Sequence, residues 1–210
     1  MSRHCEGTRL LEVGCAYGFF GALASREFGY SYEGVDISPE AVQFAASELG
    51  LAATCGDAET CALSDGPFDV ICLWDVIEHL PFPGRCLARL SDALSPHGSL
   101  LLTTGDFGSL LARLQGRRWR QIHPPTHIHY FTRRSLRALF EHTQLEATHM
   151  SHVGATRNLK SVFAALAGLD ASGGLKAAVY RWFARVLPSA DITLGFGDLL
   201  FVCARRRQDG

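Results

Sequence analysis

A doubly wound α/β fold is what this sequence predicts, and three observations predict it. Apolar runs recur at residues 10–13, 68–74 and 99–104, bounded by turn residues, as buried parallel strands require. Segments with apolar residues at helical spacing lie between them. The first run, Leu10-Leu11-Glu12-Val13, breaks into Gly14-Cys15-Ala16-Tyr17-Gly18-Phe19-Phe20-Gly21, a strand, a tight turn and a helix start. Glycine lets the backbone bend sharply there and lets a ligand approach the main chain. In open α/β sheets such a crevice, beyond the carboxyl ends of the strands, is where nucleotide-like ligands sit.

The elements follow in order. Residues 17–28 read as the first helix, stopped by Gly29. Residues 31–35 form a short strand ending at Asp36. Ser38-Pro39-Glu40 is a helix start, with Ser as cap, Pro at the first helical position and an acid in the first turn. Val42, Ala45, Ala46 and Leu49 continue that helix to Gly50. Asp36 therefore stands at a strand tip, about twenty residues past the glycine turn, where an acid accepts ribose hydroxyls. Residues 51–54 make a third strand, leading into Cys55-Gly56-Asp57-Ala58-Glu59.

Residues 68–74 form a central strand ending at Trp74, followed by Asp75-Val76-Ile77-Glu78-His79. Leu87, Leu90 and Leu94 stripe an amphipathic helix over residues 83–94, and 99–104 is the fifth strand. A short helix is expected over 107–114. Residues 116–131 mix cations, aromatics, imidazoles and two prolines, too irregular for an element interior, and are the stretch expected to choose a substrate. Thr132 caps a helix carrying Leu136, Leu139 and Phe140; residues 145–153 are a sixth strand and 197–204 a last one. Between them, residues 157–188 show two apolar helical stripes. Packing on the domain body is the commonest outcome for such a pair; a lid, a dimer face or contact with a membrane surface stay open.

Composition excludes several functions. A chain of 210 residues fits one domain over 1–210 with a substantial core. A net charge of -1 argues against nucleic acid as partner. Seven cysteines, with no C-x-x-C pair, point to free thiols in a reducing, cytoplasmic setting rather than disulfides or zinc. No signal peptide and no run long enough to span a bilayer is expected. The short lead before Leu10 leaves no room for a preceding lid helix, so closure of the crevice is expected from later segments.

The glycine spacing is not the G-x-G-x-x-G of dinucleotide enzymes, since Ala16 and Phe19 stand where glycines are needed. Glu12-x-Gly14-Cys15-x-x-Gly18 resembles instead the first motif of class I S-adenosylmethionine-dependent methyltransferases. Asp75-x-x-Glu78-His79 resembles a second signature, found among others in the O-methyltransferases of ubiquinone biosynthesis. The turn Ser95-Pro96-His97-Gly98 and the strand after it resemble the same family, and a Pro-x-His stretch at His127 resembles uncharacterised bacterial members. The resemblance implies a Rossmann-like seven-stranded sheet with its last strand antiparallel. It implies S-adenosyl-L-methionine as cofactor, held by Glu12, Gly14, Cys15, Gly18, Asp36, Ile37, Asp57, Ala58 and Trp74, with Asp57 on the adenine amino group and S-adenosyl-L-homocysteine as product. In the ubiquinone subgroup the acids and histidine corresponding to Asp75, Glu78 and His79 can hold a divalent metal, Mg²⁺ or Zn²⁺. Shaping the pocket floor through hydrogen bonds is the favoured role for Glu78 and His79 here.

The expected activity is methyl transfer to a small-molecule acceptor, at a hydroxyl, with His79 or His127 assisting deprotonation. N- or C-methylation on the same fold, and a non-catalytic cofactor-binding protein, stay open, as does the choice between monomer and homodimer. A nicotinamide oxidoreductase is the rival that the glycine spacing disfavours.

Overall fold

The computed structural model describes residues 7–63, 67–158, 191–195 and 197–207. The elements are β1 (Arg9–Val13), α1 (Phe19–Phe28), β2 (Ser31–Asp36), α2 (Pro39–Ser47), β3 (Ala52–Cys55), β4 (Phe68–Trp74), α3 (Pro83–Ala93) and β5 (Leu94–Gly105). Then come α4 (Leu110–Gln115), α5 (Arg133–Glu141), β6 (Leu145–His152), β7 (Ala155–Asn158), β8 (Asp191–Leu194) and β9 (Leu199–Arg206). One seven-stranded sheet runs in the order β3-β2-β1-β4-β5-β9-β6, while β7 and β8 pair separately. Strands β1 to β5 are parallel. Strand β9 inserts antiparallel between β5 and β6. The order reverses between β1 and β4, and a crevice opens at that switch point, on the carboxyl edge.

Both faces of the sheet are buried, which is why its central strands read as continuous apolar runs. On one face Leu11, Val13, Val35, Ile71, Leu73, Leu100 and Val202 pack with Leu87 and Leu90 of α3 and Leu136 and Phe140 of α5. On the other, Leu10, Val70, Cys72, Leu101 and Cys203 pack with Cys15, Tyr32 and Ala24 of α1. Helix starts are set locally. The Ser38 hydroxyl accepts from the Ala41 amide. Thr132 and Ser135 exchange side-chain and backbone hydrogen bonds in a reciprocal cap.

Departures from the sequence reading have physical causes. Helix α1 starts at Phe19 rather than Tyr17 because Ala16 (φ 45°) and Gly18 (φ 76°) both take left-handed backbone, so the turn consumes more chain. Strand β5 starts at Leu94, which pairs with Phe68 before an irregularity restores the register at Val70 and Ser99. Helix α4 starts at Leu110 because Asp106 and Ser109 close a turn first, and the Ser109 hydroxyl then caps the helix. Most of the helical pair expected at 157–188 lies outside the described residues; at its near end Arg157 and Asn158 are strand. Among the described residues no helix is long and apolar enough to cross a membrane.

Candidate functional site

The loop from β1 to α1 is fixed from three sides. The amides of Gly14 and Cys15 both donate to the Val35 carbonyl, at 2.8 and 3.1 Å. The Asp36 carboxylate accepts from the Ala16 amide (2.7 Å) through one oxygen and from the Ser38 amide (2.9 Å) through the other. Gly14 sits at φ 73°, and a Cβ there would fall 2.4 Å from Val76. No other residue meets both demands.

This cradle fits an adenosine sulfonium. A carboxylate has about four acceptor sites, so Asp36 can still receive the two ribose hydroxyls after its two backbone bonds. Helix α1 has neither an acid in its first turn nor a side-chain cap. Its N-terminal partial positive charge suits the amino-acid carboxylate of the cofactor. Ile37 is 76% exposed beside Asp36, an apolar surface suited to a base. Asp57 is exposed, with its carboxylate turned onto the Glu59 amide (2.8 Å), and Ala58 lies buried beside it.

Of the residues expected at the cofactor, Glu12 and Cys15 are buried and Trp74 is half-buried. Glu12 is buried under α1 and accepts a 2.7 Å hydrogen bond from the Tyr32 hydroxyl. Burial pushes its carboxyl up to about 7; the Tyr32 bond opposes this and the Asp36 charge adds to it. Burial and the same acids push the Cys15 thiol up to about 11, so it remains a protonated packing group. Trp74 packs against Phe20 and Phe201, with its indole N–H buried and without a partner among the described residues.

Across the same edge, a short 3₁₀ turn, Ile77–His79, follows β4. The irregular segment after α4 folds down onto it. The amides of Ile128 and His129 both donate to the Glu78 carbonyl, at 3.0 and 3.1 Å. His79 Nδ1 bonds the Thr126 carbonyl (2.7 Å), and His127 Nδ1 bonds the Gln121 carbonyl (2.7 Å). A carbonyl can only accept, so both Nδ1 atoms carry protons, and in the neutral form of either ring the lone pair is at Nε2. The two rings meet edge to face with centroids 4.6 Å apart. Glu78 is buried, and the Thr104 hydroxyl donates to its Oε2 (3.0 Å). Burial raises the Glu78 carboxyl and lowers the His127 imidazole. A small cavity beside them is lined by Glu78, Thr104, Trp119, Gln121, His127 and His129.

Asp75 does not join this group. It adopts φ 54°, and its carboxylate accepts from the Thr103 hydroxyl (2.9 Å). Among the described residues, the cluster with ligand atoms within 4.8 Å of one another is Glu78, His79 and His127.

Four supporting residues escaped the sequence reading. Tyr32 holds Glu12. Arg89 of α3 donates to the carbonyls of Ala58 and Cys61. Glu59 accepts from the Phe82 amide (2.7 Å), tying the loop after β3 to the start of α3. Asp198, 1% exposed, accepts from the Trp119 indole (2.9 Å) and twice from Arg120 (3.1 Å each).

Comparison with known proteins identifies the family and the fold. A family model described as "Methyltransferase domain" matches residues 3–150. The chain is 31% identical over 106 residues to the ubiquinone biosynthesis O-methyltransferase of Caulobacter sp. (strain K31), covering 47% of this chain and 41% of that protein. It is 32% identical over 121 residues to the mitochondrial ubiquinone biosynthesis O-methyltransferase of Schizosaccharomyces pombe, covering 53% and 43% respectively. These matches thus span less than half the length of either relative. The fold is shared with an S-adenosylmethionine-dependent methyltransferase from Clostridium acetobutylicum, at TM-score 0.64 and 11% identity over 99% of this chain and 87% of that one.

Proposed function

Because the chain belongs to the methyltransferase-domain family, we propose that it transfers a methyl group from S-adenosylmethionine to a hydroxyl of a small molecule. The observation that carries the cofactor half is the Asp36 carboxylate, held by the Ala16 and Ser38 amides at the switch point of the sheet. The cofactor supplies an activated methyl group and leaves as S-adenosylhomocysteine. What the protein supplies is alignment of acceptor and donor and exclusion of water. Asp36 takes the ribose, Asp57 and Ala58 the adenine edge, and the start of α1 the amino-acid carboxylate. Glu12 acts from beneath the loop, whose shape it keeps through Tyr32.

The acceptor side is the sheet edge around Glu78, His79 and His127, where His79 is exposed. A hydroxyl is a poor nucleophile until its proton leaves, and a carboxylate oxygen and one ring nitrogen from each histidine lie within 4.8 Å of one another there. The O-methyltransferase relatives favour oxygen as the methylated atom.

Asp36→Ala is expected to weaken S-adenosylhomocysteine binding by more than about tenfold in a calorimeter, since two charge-assisted hydrogen bonds go with it. Unchanged affinity would remove the ribose assignment. His127→Ala is expected to lower turnover by about 10²-fold or more, with S-adenosylhomocysteine affinity retained. Full turnover in both His79→Ala and His127→Ala would remove the acceptor assignment.

A further inference from the structure

We propose that Arg117 and Arg118 grip an oxyanion of the methyl acceptor, which makes that acceptor a small amphiphilic acid: a hydroxyl, an apolar or aromatic body, and a carboxylate or phosphate. The inference deepens the reading of the acceptor side and rests on it. Its first ground is charge. From Phe107 to Phe140 the chain carries seven arginines, at 113, 117, 118, 120, 133, 134 and 137, and no aspartate or glutamate, although the whole chain has a net charge of -1. The buried acids of this region are already committed. Asp198 accepts from Trp119 and Arg120, and Asp106 from His152 and the Gly108 amide. Arg117 and Arg118 are exposed, and their side chains have no ion pair or hydrogen bond among the described residues.

The second ground is what lies beside them. Both arginines stand in one 3₁₀ turn, Gly116–Arg118, and with Leu114 and Gln115 they line an open groove of about 630 Å³. A guanidinium matches a carboxylate or phosphate with two parallel hydrogen bonds. Leu110, Arg113 and Leu114 share a face of α4 by three- and four-residue spacing, and the two leucines are 73% and 75% exposed. Exposed apolar surface beside unopposed cations suits an acid with an apolar body. The groove also adjoins the chemistry. Trp119, the next residue, packs its ring against Gly105 at the end of β5 and lies 6.1 Å, centroid to centroid, from Phe107. Arg118 is three residues from Gln121, so their Cα atoms are within about 11 Å, and the Gln121 carbonyl holds the His127 ring. One small molecule can therefore reach from the arginines to the histidine, a continuity that favours an acceptor over a macromolecular surface. A cleft with charge of one sign also concentrates an oppositely charged substrate.

The test uses the full chain, with and without saturating S-adenosylhomocysteine. Phenol, 4-hydroxybenzoate and phenyl phosphate are titrated and followed by protein NMR. The two acids are expected to bind at least about tenfold more tightly than phenol, and whichever binds better tells carboxylate from phosphate. The double variant Arg117→Gln, Arg118→Gln is expected to lose that preference while keeping its affinity for phenol and for S-adenosylhomocysteine, which also reports an intact fold. Equal binding of all three compounds, or a preference that survives the double variant, would overturn the proposal. So would arginine-dependent binding to phosphatidylglycerol vesicles or to a DNA oligonucleotide without any preference among the small compounds. Intact S-adenosylhomocysteine affinity with no preference for acids fails this inference alone. Absent S-adenosylhomocysteine affinity with the preference intact fails the methyl-transfer reading and leaves the oxyanion site standing.

Discussion

Glu12 and Tyr32 show how much one buried pair can decide. The folded chain keeps the Glu12 proton up to about pH 7, against an ordinary value of 4.5. A raised carboxyl favours the folded state while it is protonated. That contribution, about 3 kcal/mol, is complete below the unfolded value and is lost as pH rises through the folded one. Cofactor-free protein is therefore expected to lose thermal stability between pH 5 and 8, and Glu12→Gln to flatten that dependence; parallel melting curves would contradict it. Tyr32→Phe leaves a buried carboxylate without its donor and is expected to cost about 1–3 kcal/mol in urea unfolding. Asp36 was legible because it ends a strand and precedes a helix cap. Tyr32 was not, since a tyrosine in an alternating strand reads as ordinary core. Its trace lay in two glycines. A Cβ on Gly21 would fall 2.2 Å from the Tyr32 ring, and one on Gly34 2.7 Å from its hydroxyl.

At the scale of elements, the decisive arrangement is the segment between α4 and α5 clasped to the turn after β4. Its composition marked it as the substrate-choosing stretch, and His127 stood out there. Its anchors did not, because they are remote in sequence: Asp198 reaches Trp119 across 79 positions and Glu78 reaches the 128–129 backbone across about fifty. Burial pushes the Asp198 carboxyl up, but its bonds to Arg120 and Trp119 outweigh this and hold it below the usual range. Asp198→Ala strips the Trp119 indole and Arg120 of their acceptor. Arg120 is partly exposed, so the global cost is expected to be about 1–2 kcal/mol. The local effect is larger: limited proteolysis should cut within residues 116–131 well before the sheet unfolds, and an unchanged digestion pattern would count against this anchor. Asp75, Glu78 and His79 read as one helical face by spacing alone. The left-handed backbone at Asp75 parts them, and no propensity scale foresees a left-handed aspartate there.

For the whole molecule, the seam is β9. It carries the ladder to β5 from Ser99 to Gly105 and the ladder to β6 from Leu145 to His152. The family model ends at residue 150, before this strand. A chain cut there leaves β5 with a bare hydrogen-bonding edge and β6 without its described neighbour. It is expected to show no cooperative unfolding and to aggregate in size-exclusion chromatography; a soluble, cooperatively melting fragment would refute that. The parallel half of the sheet was legible from apolar runs and helix caps, and the antiparallel insertion came from the resemblance. The β7–β8 ribbon was missed because its strands flank the apolar stripes at 157–188. The clasp between the overlying segment and the turn after β4 also bears on anyone who would retarget this scaffold. Swapping residues 116–131 for another member's would import new walls together with new struts, since the Thr126, Ile128 and His129 backbone holds the turn that carries Glu78 and His79. On the proposed reading, acceptor preference and chemical competence are inherited as one module, and grafts should exchange both strips at once.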